Sequence, residues 1–143
     1  MNPTSRLRRV RAWARQATHL ECWGRPISLR LEVRCARSRG TGGYADTPDL
    51  VHLDVGSDRV DALVALLHEL AHLAVQDTEA SYRQMHPACW RRAFAEAIEE
   101  VTGFWLPRCT SSYRSVEDYG YAAVLAAMMD AHGRRKERRK KGR

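Results

Sequence analysis

The sequence lacks the usual signals of several protein classes. Its four cysteines lie far apart and form no Cys-x-x-Cys pair, so neither a zinc ribbon nor a redox motif is indicated. No run approaches the roughly 18 apolar residues that cross a bilayer, and the arginine-rich start has no apolar stretch typical of a secretory signal. We therefore expect a reduced, cytoplasmic protein with no membrane partner. A chain of 143 residues predicts one domain, which we place at residues 1–133.

Lysine is scarce and confined to one place. All three lysines lie in the last ten residues, RRKERRKKGR. Residues 1–40 carry 10 basic and 2 acidic side chains, residues 41–133 carry 6 and 14, and residues 134–143 carry 8 and 1. Runs like the last one commonly stay disordered and bind polyanions by releasing counterions. The pattern predicts a basic, disordered tail at 134–143 that contacts DNA, with a purely solubilising tail as the alternative.

Apolar periodicity predicts one helix, then a small sheet, then further helices. The predicted strands cover 27–36, 44–46 and 49–55, and the predicted helices cover 2–22, 59–76, 87–102 and a segment from about residue 115. Asp58 and Asp61 are typical of the start of the second helix, and Pro87 suits the first turn of the third. This order indicates an α+β fold in which the helix over 59–76 packs across a three-stranded sheet.

The predicted helix over 59–76 is apolar nearly all round, except in the stretch LLHELAHLAV. Buried polar groups destabilise a fold unless they find a partner, so His68, Glu69 and His72 need one. Residues four apart share a helix face, so His68 and His72 can reach one zinc ion at roughly 2.0–2.1 Å each. Glu69 lies beside that face, where its carboxylate can meet a water on the zinc. The alternative is a pair of core histidines bonded to backbone carbonyls.

A catalytic zinc site needs a third protein ligand, and the residues alone leave its identity open. The continuation typical of metzincins is excluded, because Val75 and Thr78 stand where that class has glycine and histidine. His86, in MHPACWRRAF, precedes the third helix and can swing back toward the second. The competing candidates are carboxylates on that third helix: Glu96, Glu99 and Glu100.

Four segments together resemble a known family. In order and spacing, GGYAD, LVHLDV, LLHELAHLAV and HPACW are similar to the SprT-like zinc metallopeptidases, the family of Spartan, over about residues 40–103. The resemblance implies a small zincin-like domain in its minimal form, with His68, His72 and His86 binding Zn²⁺. It also implies that Glu69 is the catalytic acid and base.

The chain departs from the family pattern beside the third ligand. Pro87 stands where the family usually has glycine, and Trp90 replaces the aromatic residue that packs the third-ligand loop. The zinc ribbon that can follow the domain in this family is also missing, which leaves the basic tail as the expected nucleic-acid contact.

The implied activity is zinc-dependent hydrolysis of peptide bonds in protein substrates, including protein near DNA. We expect the substrate peptide to add as a strand along an exposed edge of residues 49–55. His52, on the opposite side of that strand from its apolar neighbours, is expected to face solvent. Two other functions stay open. One is an ImmA-like peptidase with a glutamate as third ligand, and the other is a nucleic-acid-binding module in which Cys89 closes a structural zinc site.

Overall fold

The computed structural model describes residues 2–76 and 86–102, apart from the side chains of Val60 and Thr102. The elements are α1 (Pro3–Ala17), a short 3-10 helix (Glu21–Trp23), β1 (Arg30–Cys35), β2 (Gly42–Asp46), β3 (Leu50–Val55), α2 (Arg59–Ala74) and α3 (Ala88–Thr102). The predicted α+β class is confirmed. The helix predicted from about residue 115 and the tail at 134–143 lie outside the described residues. No helix in the described part of the chain is both long and apolar enough to cross a bilayer.

The first helix begins with a side-chain cap and ends earlier than predicted. Asn2 Oδ1 accepts a hydrogen bond from the Ser5 amide at 2.8 Å, which satisfies one of the free N–H groups of the first turn. The helix ends at Ala17, whereas the apolar repeat predicts helix to residue 22. The cause is a contact with Glu100, which lies far away in the sequence, on α3. Glu100 Oε2 and Oε1 accept the amides of Glu21 and Cys22 at 2.8 Å each, which holds these residues in a separate 3-10 turn.

The three strands form a mixed sheet with the order β1-β3-β2. β1 runs parallel to β3, with Val33 opposite Leu53, and β2 runs antiparallel to β3, with Gly43 opposite Leu53. β3 is therefore the central strand and both of its edges are paired. The predicted binding of a substrate peptide along an edge of residues 49–55 is wrong, because that strand has no free edge.

The first strand is shorter than its alternating pattern predicts. It begins at Arg30, opposite Leu50, and the partner strand offers nothing further to pair with. Ile27 instead donates its amide to the Thr18 carbonyl at 2.9 Å, which ties the chain back to the end of α1. Residues 27–29 thus run along the helix before the strand begins.

The end of the sheet is held by tight contacts with the loop between β1 and β2. Arg6 Nη1 donates to the carbonyl oxygens of Ala36 and Val55, each at 3.1 Å. A Cβ on Gly56 would overlap the backbone oxygens of Arg39 and Gly40, so only glycine fits where this loop crosses the end of β3. This close approach fixes the position of the loop between β1 and β2 relative to the start of α2.

The second helix lies at the centre of the molecule, as its composition predicts. Asp58 caps it, with Oδ1 accepting the Asp61 amide at 3.0 Å. Its apolar side chains face the sheet, α1 and α3. The fully buried members of this core with the largest side chains are Trp90, Phe94, Leu53, Leu66, Leu67, Leu70, Ile98, Val10, Val51, Val55 and Val64. The helix that carries His68 and His72 is therefore a rigid platform.

Candidate metal centre

Three histidines from two elements meet beside α2. His68 and His72 project from one face of that helix, and His86 stands two residues before α3. One ligand nitrogen from each ring lies within 4.8 Å of the others, so the three side chains are positioned to hold a metal ion. Among residues 2–76 and 86–102, they are the one set of three or more histidine, cysteine or acidic side chains with this geometry.

The separation of the ring nitrogens fits a tetrahedral metal ion. Nε2 of His68 and Nε2 of His86 lie 3.2 Å apart. Two nitrogens bound at 2.0–2.1 Å to one tetrahedral ion are separated by roughly 3.3 Å, the edge of the tetrahedron. Three imidazoles with no carboxylate among them also form a donor set that suits zinc and other first-row metals. The residues present therefore fit a metal ion, although they do not identify it.

The surroundings keep one of these imidazoles neutral. Burial, together with the neighbouring His68 and His86, lowers the pKa of His72 to about 4. At neutral pH its ring therefore carries no proton on one nitrogen, and that lone pair is available to a cation. This removes a cost that metal binding otherwise includes, namely the release of a proton from the ligand.

The Trp90 ring packs against all three histidine rings. Trp90 is fully buried, and its ring centroid lies 4.7 Å from that of His68, 5.2 Å from His72 and 4.3 Å from His86. Its indole Nε1 donates to the His68 backbone oxygen at 3.2 Å. Phe94 stacks on its other side with centroids 5.1 Å apart. Trp90 thus packs against the residue that is the candidate third ligand, His86.

The backbone of the third histidine is held by the helix that follows it. Arg91 Nη1 donates to the His86 carbonyl oxygen at 2.8 Å, and the Arg91 amide donates to Pro87 at 3.0 Å. The first turn of α3 thereby holds the residue just before it. This contact could not be predicted from the sequence, because an arginine on a helix is usually solvated and nothing in its spacing points to a carbonyl five residues back.

The glutamate of the motif lies at the edge of the cluster. Glu69 Oε1 is 3.7 Å from Nε2 of His68, and the residue is 8 % exposed. Burial raises the pKa of Glu69, while the charge of His68 acts in the opposite direction. A carboxylate whose pKa is raised by burial, beside three histidines that can hold a metal ion, is better suited to accepting and returning a proton than an exposed carboxylate is.

The other candidate ligands stand outside this cluster. Glu100 uses both carboxylate oxygens to bind the amides at the start of the 3-10 helix. Glu96, Glu99 and Cys89 do not share the 4.8 Å sphere of the three histidines. A glutamate as third ligand and a fourth ligand at Cys89 are therefore not favoured by the arrangement, in which His86 takes the third position.

His52 differs from its prediction in one respect. It does lie on the face of β3 opposite to the buried Val51 and Leu53. Its side chain is only 15 % exposed, however, because Tyr44 on β2 stacks on its ring at 5.1 Å and Asp54 Oδ1 contacts its Nε2 at 3.2 Å. The predicted face of the strand is therefore confirmed, but the predicted exposure to solvent is wrong, because a cross-strand neighbour covers most of the ring.

Comparison with protein-family models, curated proteins and solved structures finds no significant match. The site is therefore interpreted from its own geometry.

Proposed function

We propose that this protein is a zinc-dependent metallopeptidase of SprT-like type, which hydrolyses peptide bonds in protein substrates. The observation that carries the proposal is the convergence of His68, His72 and His86 beside the buried carboxylate of Glu69. Three protein ligands are the number that catalytic zinc sites use, whereas structural sites use four. Cys89, the nearest candidate for a fourth, is not part of the cluster.

The residues divide the chemistry between them. Zn²⁺ bound at such a site supplies a Lewis acid for the substrate carbonyl and lowers the pKa of a coordinated water to about 7. His68, His72 and His86 would hold this ion. Glu69 Oε1 accepts the proton of the attacking water and returns it to the leaving amine nitrogen. Its burial excludes competing solvent from the carboxylate and raises its pKa toward the range in which both transfers are favourable.

The decisive test removes the base and keeps the ligands. Glu69→Gln preserves the size of the side chain, so we expect zinc binding at one ion per chain with cleavage of a loosely folded protein reduced by about 10²-fold or more. Glu69→Asp, which keeps the carboxylate but withdraws it, is expected to retain partial activity. Equal cleavage by the wild-type protein and the Gln variant would end the enzymatic proposal.

A second experiment separates the candidate third ligands. We expect His86→Ala to lose zinc stoichiometry, measured by elemental analysis after removal of loosely bound metal, while Glu99→Ala retains it. Loss of zinc in Glu99→Ala with retention in His86→Ala would favour the ImmA-like arrangement instead. DNA-associated substrates remain part of this proposal, and the comparison of cleavage with and without duplex DNA tests them.

A further inference from the structure

The outer face of α1 carries a row of exposed arginines. Arg8, Arg11 and Arg15 are exposed, whereas Val10 and Ala14 on the opposite face are buried. At about 100° per residue, the three arginines lie within about 60° of one another around the helix axis. Along the axis they are spaced by about 4.5 Å and 6 Å. We call them the α1 arginine stripe.

The stripe contributes little to the stability of the helix that carries it. α1 contains five arginines and no acidic residue, and only Arg15, in the last turn, complements the helix dipole. Arg8 and Arg11 are three residues apart and Arg11 and Arg15 four apart, so like charges face each other where opposite charges would stabilise the helix. A run of like charges with so little return in helix stability is typical of a binding surface.

Arginines elsewhere in the described residues are treated differently. Arg30 pairs with Asp49 at 2.9 Å, and Arg39 pairs with Asp58 at 3.7 Å. Within residues 2–76 and 86–102, no carboxylate lies within ion-pair distance of any member of the α1 arginine stripe. Among the described residues, Arg30 and Arg39 are thus paired with carboxylates, whereas the three arginines of the stripe are not.

The positive field extends beyond the stripe at the start of the helix. Burial, followed by the positive charges of Arg59 and Arg6, lowers the pKa of Arg9. Arg59 is the first residue of α2, so the N-terminal end of a second helix adds its partial positive charge to the same region. Arg6, Arg9 and Arg59 thus add positive charge beside the stripe, at the start of α1, which favours a polyanion over a single small anion.

We propose that the α1 arginine stripe binds the phosphodiester backbone of a nucleic acid. A lipid surface is the poorer fit, because membrane-bound helices place an apolar face in the bilayer and the apolar face of α1 is buried in the core. Three arginines whose backbone positions are about 4.5–6 Å apart along the helix axis suit a linear array of phosphates, each of which can accept two hydrogen bonds from an arginine. This surface is separate from the basic tail at 134–143 and does not depend on the metal centre.

The test compares two full-length variants that each remove three positive charges. In one, Arg8, Arg11 and Arg15 are changed to Gln, a good helix former. In the other, the tail residues Lys136, Lys140 and Lys141 are changed to Gln. Binding of a 20-base-pair duplex is measured by fluorescence anisotropy over a range of salt concentrations. Circular dichroism and thermal unfolding confirm that both variants fold like the wild-type protein.

We expect the stripe variant to change both the affinity and its salt dependence. Each lost phosphate contact lowers the slope of log K against log salt by about 0.9, so three contacts lower it by about 2.7. At about 0.15 M salt this corresponds to an affinity weaker on the order of 100-fold. Replacement of the same three arginines by Lys is expected to restore most of the slope, because the charge returns. The tail variant is expected to bind more tightly than the stripe variant.

Other polyanions serve as competing probes. A single-stranded RNA of 20 nucleotides distinguishes RNA from duplex DNA as the source of the phosphates, and either one supports the proposal. An unchanged salt slope in the stripe variant would overturn it, as would the absence of nucleic-acid binding by the wild-type protein. Tighter binding to poly-glutamate or to vesicles of anionic lipid than to either nucleic acid would also overturn it, and would assign the stripe to an acidic protein or a membrane.

Discussion

Replacement of Trp90 by Phe should weaken the protein and its metal site by separable amounts. The indole loses its hydrogen bond to the His68 carbonyl oxygen, which contributes about 1 kcal/mol. Phenylalanine also lacks about two buried carbon atoms of the indole, at about 0.8 kcal/mol each. The expected loss in the free energy of unfolding is therefore about 2–3 kcal/mol, a substantial part of the 5–15 kcal/mol typical of a domain.

The same change should affect zinc affinity, because Trp90 contacts all three imidazoles. Groups that orient metal ligands without binding the metal typically change affinity 10- to 100-fold, and we expect a loss in that range. Urea unfolding in the presence of a chelator measures stability, and competition with a chromophoric chelator measures zinc affinity. The two measurements are independent of catalysis.

Ile98→Ala provides the matched control. Ile98 is also fully buried on α3, two helical turns beyond Trp90, and its truncation should cost about 2–5 kcal/mol. We expect this variant to be at least as destabilised as Trp90→Phe, yet to bind zinc with nearly wild-type affinity. If the two variants lose zinc affinity equally, general loosening of the core explains the effect and the positioning role of Trp90 is refuted.

Two further predictions concern residues outside the metal centre. Gly56→Ala should lower the free energy of unfolding in urea by about 1–3 kcal/mol or more, because its Cβ would overlap backbone oxygens. Gly42→Ala, which has open space around the new Cβ, should change it far less. Equal effects of the two substitutions would contradict the close approach at Gly56. Burial and then the charge of Glu100 raise the pKa of Cys22 to about 12 from a usual value of 9.0, so its thiol should react slowly with a disulfide reagent at pH 8, and Glu100→Gln should accelerate the reaction. Because this pKa is raised in the folded state, its contribution to stability is present below about pH 9 and is lost as the pH rises toward about 12. Mass spectrometry of the labelled cysteines measures the rate at which Cys22 reacts. Unchanged labelling of Cys22 in the Glu100→Gln variant would contradict the prediction.

The sequence predicted the parts of the site that depend on local spacing. His68 and His72 share a helix face because residues four apart must do so, and the apolar composition of α2 places that face in the interior. His86 needed more than spacing. Its approach to His68 depends on how α3 packs against α2. The residues alone left His86 in competition with three glutamates, and only the family resemblance favoured it before the structure did.

The features that were missed depend on contacts between distant segments. Three short strands with similar alternation do not reveal which edges pair, so the central position of β3 had to come from the structure. The early end of α1 is set by Glu100, a residue 79 positions away from the Glu21 amide that it binds. An apolar repeat shows which side chains of a segment can be buried. It does not show where a side chain from a distant segment will end the helix.

The contact of Arg6 with the ends of two parallel strands has a practical consequence. One guanidinium in the second turn of α1 joins the carbonyl ends of β1 and β3, and β3 leads within four residues to the start of α2. The start of α1 is thus linked to the start of the helix that carries His68 and His72. A change that displaces Arg6 should therefore perturb metal retention from a distance.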